Sequence, residues 1–310
     1  MPERELSVIG GQCEAKAVRS REDGAMTSEE VSSPPPIDNW NRLLDGRVAV
    51  VTGGAGGIGG AVSSLFAQHG AHVEFIDIDA EAAHAKEAEI LAAGGSARAH
   101  VADVRDAAEV ARVAADVLGA HPYVSVLVNN VGDYRPLVRF RESTPESWKE
   151  MYDINLFHIF AVTHAFLNPM IEGGGGSIVN IHSVEGMRGY PGEPVYGSMK
   201  AAAAAFTTDL AAGMGRHGIR VNGIGPDLTQ TAQVDYIGTS VGSEHLWEAW
   251  APVGRVGWPE DQARVALFLA SDLSSFVTGH NVPVDGGTKA GGGWFWSPTA
   301  GRFVNRPKGL

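Results

Sequence analysis

From Arg47 onward, short apolar runs alternate with longer stretches whose apolar positions return every three or four residues. RVAVVT (47–52), HVEFID (72–77), SARAHVA (96–102), SVLVNN (125–130), SIVNIH (177–182), IRVNGI (219–224) and HNVPVD (280–285) read as strands. Between them, the alanine-rich stretches 80–93, 106–118 and 195–215 read as helices. Strands alternating with helices predict parallel pairing with helices on both faces. The expected fold class is α/β, a doubly wound, mostly parallel seven-stranded sheet. GGGG at 173–176 reads as a loop between a helix and a strand, and no internal repeat is visible.

The chain on either side of this region differs. Residues 1–44 mix charges, small polar residues and the triple proline Pro34–Pro36 without an apolar period, which reads as a flexible arm. The arm has neither the apolar core of a signal peptide nor the Arg-rich, acid-poor character of a transit peptide. Met26 offers an alternative start. A single domain is expected over 45–289, followed by an unusual aromatic tail, 290–310, carrying Trp294, Phe295 and Trp296. Those rings are expected to pack on a neighbouring subunit or to close over a substrate mouth.

Charge narrows the function. The 24 basic and 36 acidic residues give a net charge of −12, with no local basic stripe. A nucleic-acid partner is not expected, because phosphate-backbone binding needs a basic footprint. The longest apolar runs are of strand length, so no membrane span is expected. Cys13 is the only cysteine, which excludes intrachain disulfides and a cysteine metal cage and fits a reducing cytoplasm. The 11 histidines show no ligand spacing along the chain, so no metal site is expected.

VVTGGAGGIGGAV follows the first strand and opens a helix. Gly53, Gly57 and Gly59, with Ile58 between the last two, let the backbone turn tightly and approach a pyrophosphate at the helix N-terminus. Asp77 closes the second strand 18 residues after Gly59, where a carboxylate can accept both hydrogens of an adenosine ribose diol. A solvated strand-end acid is the plain alternative. A 2′-phosphate ~4 Å from Asp77 would be repelled by about 4 kcal/mol at surface-like dielectric. Residues 53–60 hold no Arg or Lys to offset that, so NAD is the expected cofactor rather than NADP.

With TGGAGGIG, NNVG (129–132), SIVNIHS and YGSMK in this order, the chain resembles the short-chain dehydrogenase/reductase family from about Gly46 to Thr288. Ser183 precedes Tyr196 by 13 residues, and Tyr196 precedes Lys200 by four, one helical turn on the same face. The resemblance implies a Rossmann-like fold and the catalytic tetrad Asn155, Ser183, Tyr196 and Lys200. It adds Asp103 and Val104 beside the adenine, and Asn130, Gly132, Pro226 and Thr229 along the cofactor. It implies a homo-oligomer, tetramer or dimer, built on the long helices flanking the fifth strand. Asp227 stands where the family usually has glycine, so the backbone over 226–231 is expected to follow its own path. His182 stands where a second serine is common, and is read as a strand-end side chain without catalytic role.

A free phenol titrates near pH 10 and is a poor base at neutrality. Lys200 and an oxidised nicotinamide are expected to lower the Tyr196 pKa by roughly 1–3 pH units. Tyr196 would then take the proton of an alcohol as hydride leaves, or return it to a carbonyl in reverse. Ser183 would hydrogen-bond the same substrate oxygen. By resemblance, Lys200 also holds the nicotinamide ribose and Asn155 anchors a water linking Lys200 to solvent. The loop 227–258 carries Tyr236, Ile237, Leu246, Trp247 and Trp250, a set suited to an apolar lid or to packing on its own domain. Asp133, Tyr134 and Glu185 are further candidates to face the substrate. The expected activity is NAD-dependent hydride transfer to or from a hydrophobic secondary alcohol or ketone. The alternatives are an NAD-binding sensor or scaffold without turnover, and an epimerase or dehydratase of the same family.

Overall fold

The computed structural model describes residues 37, 39–239, 251–292, 295–297 and 300–304, with the backbone alone at 295–297 and 303. Nearly all of the arm, together with Leu246, Trp247, Trp250 and Trp294, lies outside the described residues. Strands β1 (Val48–Thr52), β2 (His72–Asp77), β3 (Ser96–Val101), β4 (Val126–Asn129), β5 (Gly176–Ile181), β6 (Ile219–Pro226) and β7 (Asn281–Val284) form one sheet. All pairings in it are parallel, and the order is β3-β2-β1-β4-β5-β6-β7. The observed strands match the expected runs to within one or two residues.

Helices α1 (Gly57–Gln68), α2 (Ala80–Ala92), α3 (Ala107–Ala120), α4 (Pro145–Tyr152), α5 (His158–Glu172), α6 (Pro194–Met214) and α7 (Pro259–Ala270) connect the strands. They bury both faces, and this is why the central strands are near-continuously apolar. On one face, Val62 and Phe66 of α1 and Leu269 of α7 pack over Val51 and Phe75. On the other, Val113 of α3, Phe166 and Met170 of α5 and Ala211 of α6 pack over Val50, Leu127 and Ile178. Aspartates start two of the helices: Asp79 accepts from the amides of Glu81 and Ala82, and Asp106 from those of Ala108 and Glu109. Within the core, Asn129 Nδ2 donates to Asn180 Oδ1 (2.8 Å) and Thr163 Oγ1 (3.0 Å), tying β4 to β5 and α5.

The sequence expectation about membrane spans needs one correction. The helical run Pro145–Glu172 is, among the described residues, long and apolar enough to cross a bilayer by length and composition, and 44% of its apolar window is buried. Ile159, Val162, Phe166 and Met170 of that run are fully buried in the protein, which accounts for its apolarity as a core helix. The run also contains a π turn, Asp153–Phe157, between α4 and α5. After β3 the chain returns to place β4 on the free side of β1. Loops leaving β1 and β4 therefore diverge, and the crevice above such a switch point is where this architecture binds ligands.

Candidate active site

A cavity of about 1070 Å³ lies at the C-terminal ends of the strands, lined at one stretch by Gly53, Gly57, Ile58, Asp77, Asp103 and Val104. Gly53 and Gly57 hold φ of +63° and +51°, a backbone region that penalises side chains, so glycine is needed to make this turn. Gly59 lies beneath the turn, and a Cβ there would overlap the Gly53 carbonyl. Asn130 braces the same turn, its Nδ2 donating to Thr52 O at 3.0 Å and its backbone amide to Thr52 Oγ1 at 2.9 Å. Asp77 Oδ2 accepts from the Ala55 amide (3.0 Å) and Oδ1 from the Asp79 amide (3.1 Å). Each carboxylate oxygen keeps acceptor capacity toward the cavity. Arg105, which also lines it, is engaged with Asp103 through Nε (2.9 Å) and Nη2 (2.6 Å). An open glycine turn, the amino end of α1 and a carboxylate with spare lone pairs fit a nicotinamide dinucleotide.

Ser183, Tyr196 and Lys200 open onto the same cavity. Ser183 follows β5 and is buried, its Oγ accepting the Glu185 amide at 3.1 Å. His182 supports that corner: its Nδ1 accepts the Ser183 amide at 2.8 Å, and burial lowers its pKa to about 4. Tyr196 and Lys200 sit one turn apart on α6, with Lys200 Nζ over the Tyr196 ring, 5.7 Å from its centroid. Tyr134 and Tyr190 flank the Tyr196 ring edge-on, at centroid distances of 6.3 and 5.8 Å. Asn155 is fully buried in the π turn and does not line the cavity. Its Oδ1 accepts the Asp133 amide (3.1 Å) and its Nδ2 donates to Asp133 O (2.7 Å) and Met151 O (3.2 Å). The side chain thus braces the segment carrying Gly132 and Asp133.

In the cofactor-free site, electrostatics work against the expected lowering of the phenol pKa. Burial pushes the Tyr196 phenol above its ordinary value of 10. A hydrogen bond with Ser183 pulls it back, while Tyr236, Glu185 and Asp227 add to the rise. Burial also lowers the Lys200 pKa to about 8, despite the favourable charge of Asp133, which still leaves the ammonium the main form at neutral pH. Gly132 sets the packing of the ammonium: a Cβ at this position would come 2.5 Å from Lys200 Nζ and 3.0 Å from Asn155 Oδ1. Gly132→Ala is therefore expected to displace Lys200 and lower kcat about 10²-fold, since misplacement of an active-site group by ~1 Å has effects of that order. Steady-state kinetics beside a thermal melt would check it, the melt shifting little.

Asp227, the residue for which a local departure was expected, enters an ion triad that the spacing along the chain does not reveal. Arg188 Nη2 donates to Glu185 Oε1 (2.9 Å) and Asp227 Oδ2 (2.8 Å), and Arg188 Nε donates to Glu185 Oε2 (3.1 Å). Thr288 Oγ1 also donates to Asp227 Oδ2, at 2.7 Å. Leu228 follows with φ of +41°, and its amide donates to Asp227 Oδ1 at 2.8 Å. Thr229 lines the cavity, but its hydroxyl is engaged by Asp227 O (3.0 Å) and Gln262 Nε2 (3.0 Å). Pro226 and Tyr236 also line the cavity, as do Ala300, between the carboxy-terminal antiparallel strands β8 (Phe295–Ser297) and β9 (Arg302–Val304), and Arg302 and Val304 of β9. An acid in place of the usual glycine at 227 and the i, i+3 pair Glu185 and Arg188 were the available sequence signals. Elsewhere, the structure gathers His72, His100 and His121 around Glu74, a grouping hidden in the chain spacing.

A family model described as enoyl-(acyl carrier protein) reductase matches residues 53–289. The 3-oxoacyl-[acyl-carrier-protein] reductase of Chlamydia muridarum is 38% identical over 248 residues, covering 80% of this chain and 99% of that protein. The 2,5-dichloro-2,5-cyclohexadiene-1,4-diol dehydrogenase of Sphingobium indicum is 37% identical over 251 residues, covering 81% and 99%. A solved 7α-hydroxysteroid dehydrogenase, complexed with NADH and 7-oxo glycochenodeoxycholic acid, superposes with a TM-score of 0.74 at 32% identity, covering 81% of this chain and 98% of that one. Fold and site together define a nicotinamide-dependent oxidoreductase. The chain belongs to the short-chain dehydrogenase/reductase family.

Proposed function

We propose that the protein interconverts an uncharged, apolar secondary alcohol and its ketone with NAD(H), using Tyr196 as the proton carrier. The observation that carries this reading is the single cavity joining Ser183, Tyr196 and Lys200 to the glycine turn and Asp77. Gly53, Gly57, Ile58, Asp77, Asp103, Val104, Gly132, Pro226 and Thr229, with Asn130 as brace, would hold the dinucleotide, which supplies hydride exchange when bound. Ser183 Oγ is positioned to donate to the substrate oxygen as charge develops there. In oxidation, the Tyr196 oxygen takes the hydroxyl proton; in reduction, it returns a proton to the carbonyl oxygen. Lys200 keeps a positive charge over the ring and favours the phenolate as the proton leaves. Asn155 contributes by holding the backbone at Asp133.

Substrate class follows from the walls. Tyr134, Leu137, Tyr190, Val234 and Tyr236 give the cavity apolar surface. Arg188 is held between two carboxylates, so the triad carries net negative charge and does not favour an anionic substrate. Four similar proteins carry names that refer to a cyclohexadiene diol, a 3-oxoacyl group, D-threitol and 7-oxo glycochenodeoxycholic acid, each an alcohol or a ketone. Assembly into a dimer or tetramer through α5 and α6 is proposed on the family resemblance, with light scattering as the check.

The test is an initial-rate panel of secondary alcohols with NAD and NADP, each neutral alcohol paired with a carboxylated analogue. Turnover of neutral members with NAD is expected; exclusive use of carboxylated members would reject the substrate class. pH adds a signed prediction. Oxidation needs deprotonated Tyr196, so kcat/KM should climb with pH. Asp227→Asn or Glu185→Gln removes a negative charge that raises the phenol pKa and should move the rising limb to lower pH. A limb moving upward would contradict this electrostatic account.

A further inference from the structure

Glu74 lies in the middle of β2 with 1% of its surface exposed, on the sheet face covered by α3. Three imidazoles converge on it through Nε2. His72, at the start of β2, approaches Oε1 at 3.0 Å, and His121, immediately after α3, approaches the same oxygen at 2.9 Å. His100, on β3, approaches Oε2 at 2.5 Å. The ion pairs described for Glu74 involve these histidines alone, so the positive charge that a buried carboxylate requires has no fixed source here.

We propose that His72, Glu74 and His121 form a binding site for a divalent metal ion of the zinc type, with His100 holding the carboxylate from outside. The three ligand atoms lie within 4.8 Å of one another. Tetrahedral bonds of ~2.0–2.1 Å separate neighbouring ligand atoms by about 3.3 Å, so only small ring movements complete the geometry. Two imidazole nitrogens and one carboxylate oxygen suit zinc; calcium and magnesium take oxygen ligands. The outer contacts that orient such ligands are in place: His72 Nδ1 lies 2.6 Å from Ser96 Oγ, and His100 engages Oε2. The His72 and His121 side chains are 28% and 25% exposed, which gives an ion its entry and leaves room for a water as fourth ligand.

None of the four residues lines the active-site cavity. The site clamps β2, β3 and the end of α3, and β2 carries Asp77 at its far end, so the role of the metal is structural. The test uses full-length protein stripped with a chelator and dialysed, then titrated with zinc chloride against a chromophoric competitor and followed by thermal melting. One zinc per chain is expected, with a raised melting temperature that magnesium and calcium do not reproduce. His121→Gln, at a partly exposed position, should weaken zinc binding at least tenfold, and His72→Gln should do the same. His84→Gln, an exposed histidine on α2, should leave it unchanged. Binding equally strong in His121→Gln and His72→Gln as in the unsubstituted chain would overturn the proposal. So would stabilisation by zinc that disappears in His84→Gln, or a folded protein that takes up no zinc.

Discussion

Tyr196→Phe is expected to lower kcat for alcohol oxidation by about 10²–10⁴-fold, the usual contribution of a positioned proton-transfer group, while NAD affinity changes by less than about twofold. The substitution removes one oxygen and keeps the ring that packs between Tyr134 and Tyr190. Lys200 Nζ retains the aromatic face beneath it, so the cofactor side of the cavity should survive intact. Initial rates combined with fluorescence titration of NADH separate the two effects. Unreduced turnover in the variant would assign the proton to another group; loss of cofactor binding would show that the phenol is structural.

Asp77→Asn is expected to shift the NADP-to-NAD preference toward NADP by about 10²- to 10³-fold, the range set by removing a repulsion of about 4 kcal/mol. The amide oxygen can still brace one of the two amides that Asp77 now holds, Ala55 or Asp79, so the turn should persist. Arg105 does not compensate in the unsubstituted protein, because its guanidinium is engaged with Asp103. The ratio of kcat/KM values for the two cofactors is the measurement. An unsubstituted protein that already prefers NADP would refute the role given to Asp77.

The layered α/β architecture was legible because a parallel sheet buried on both faces leaves unbroken apolar runs such as Val48–Val51, with helical stretches between them. Ser183, Tyr196 and Lys200 were legible because their spacing survives folding: two share a helix face and the third lies just beyond the end of β5. Asn155 was found, but not its setting, since one extra residue in a π turn leaves no periodic mark. The upward push on the phenol pKa was missed because it arises from burial and from Glu185 and Asp227, which meet only after β5 and β6 pair. Arg188 stayed hidden for the same reason, as its second partner is far along the chain. The three imidazoles around Glu74 come from β2, β3 and the end of α3, a convergence set by strand register rather than by spacing.

The central claim is that Tyr196 gives up its proton only when cationic charge stands beside it in the assembled site. An ultraviolet difference titration of the unsubstituted protein against Tyr196→Phe, without and with saturating NAD, reads this phenol alone. The account predicts ionisation above the range of free tyrosine in the cofactor-free protein and a clear downward displacement once NAD is bound. A titration curve that NAD leaves unmoved would contradict it.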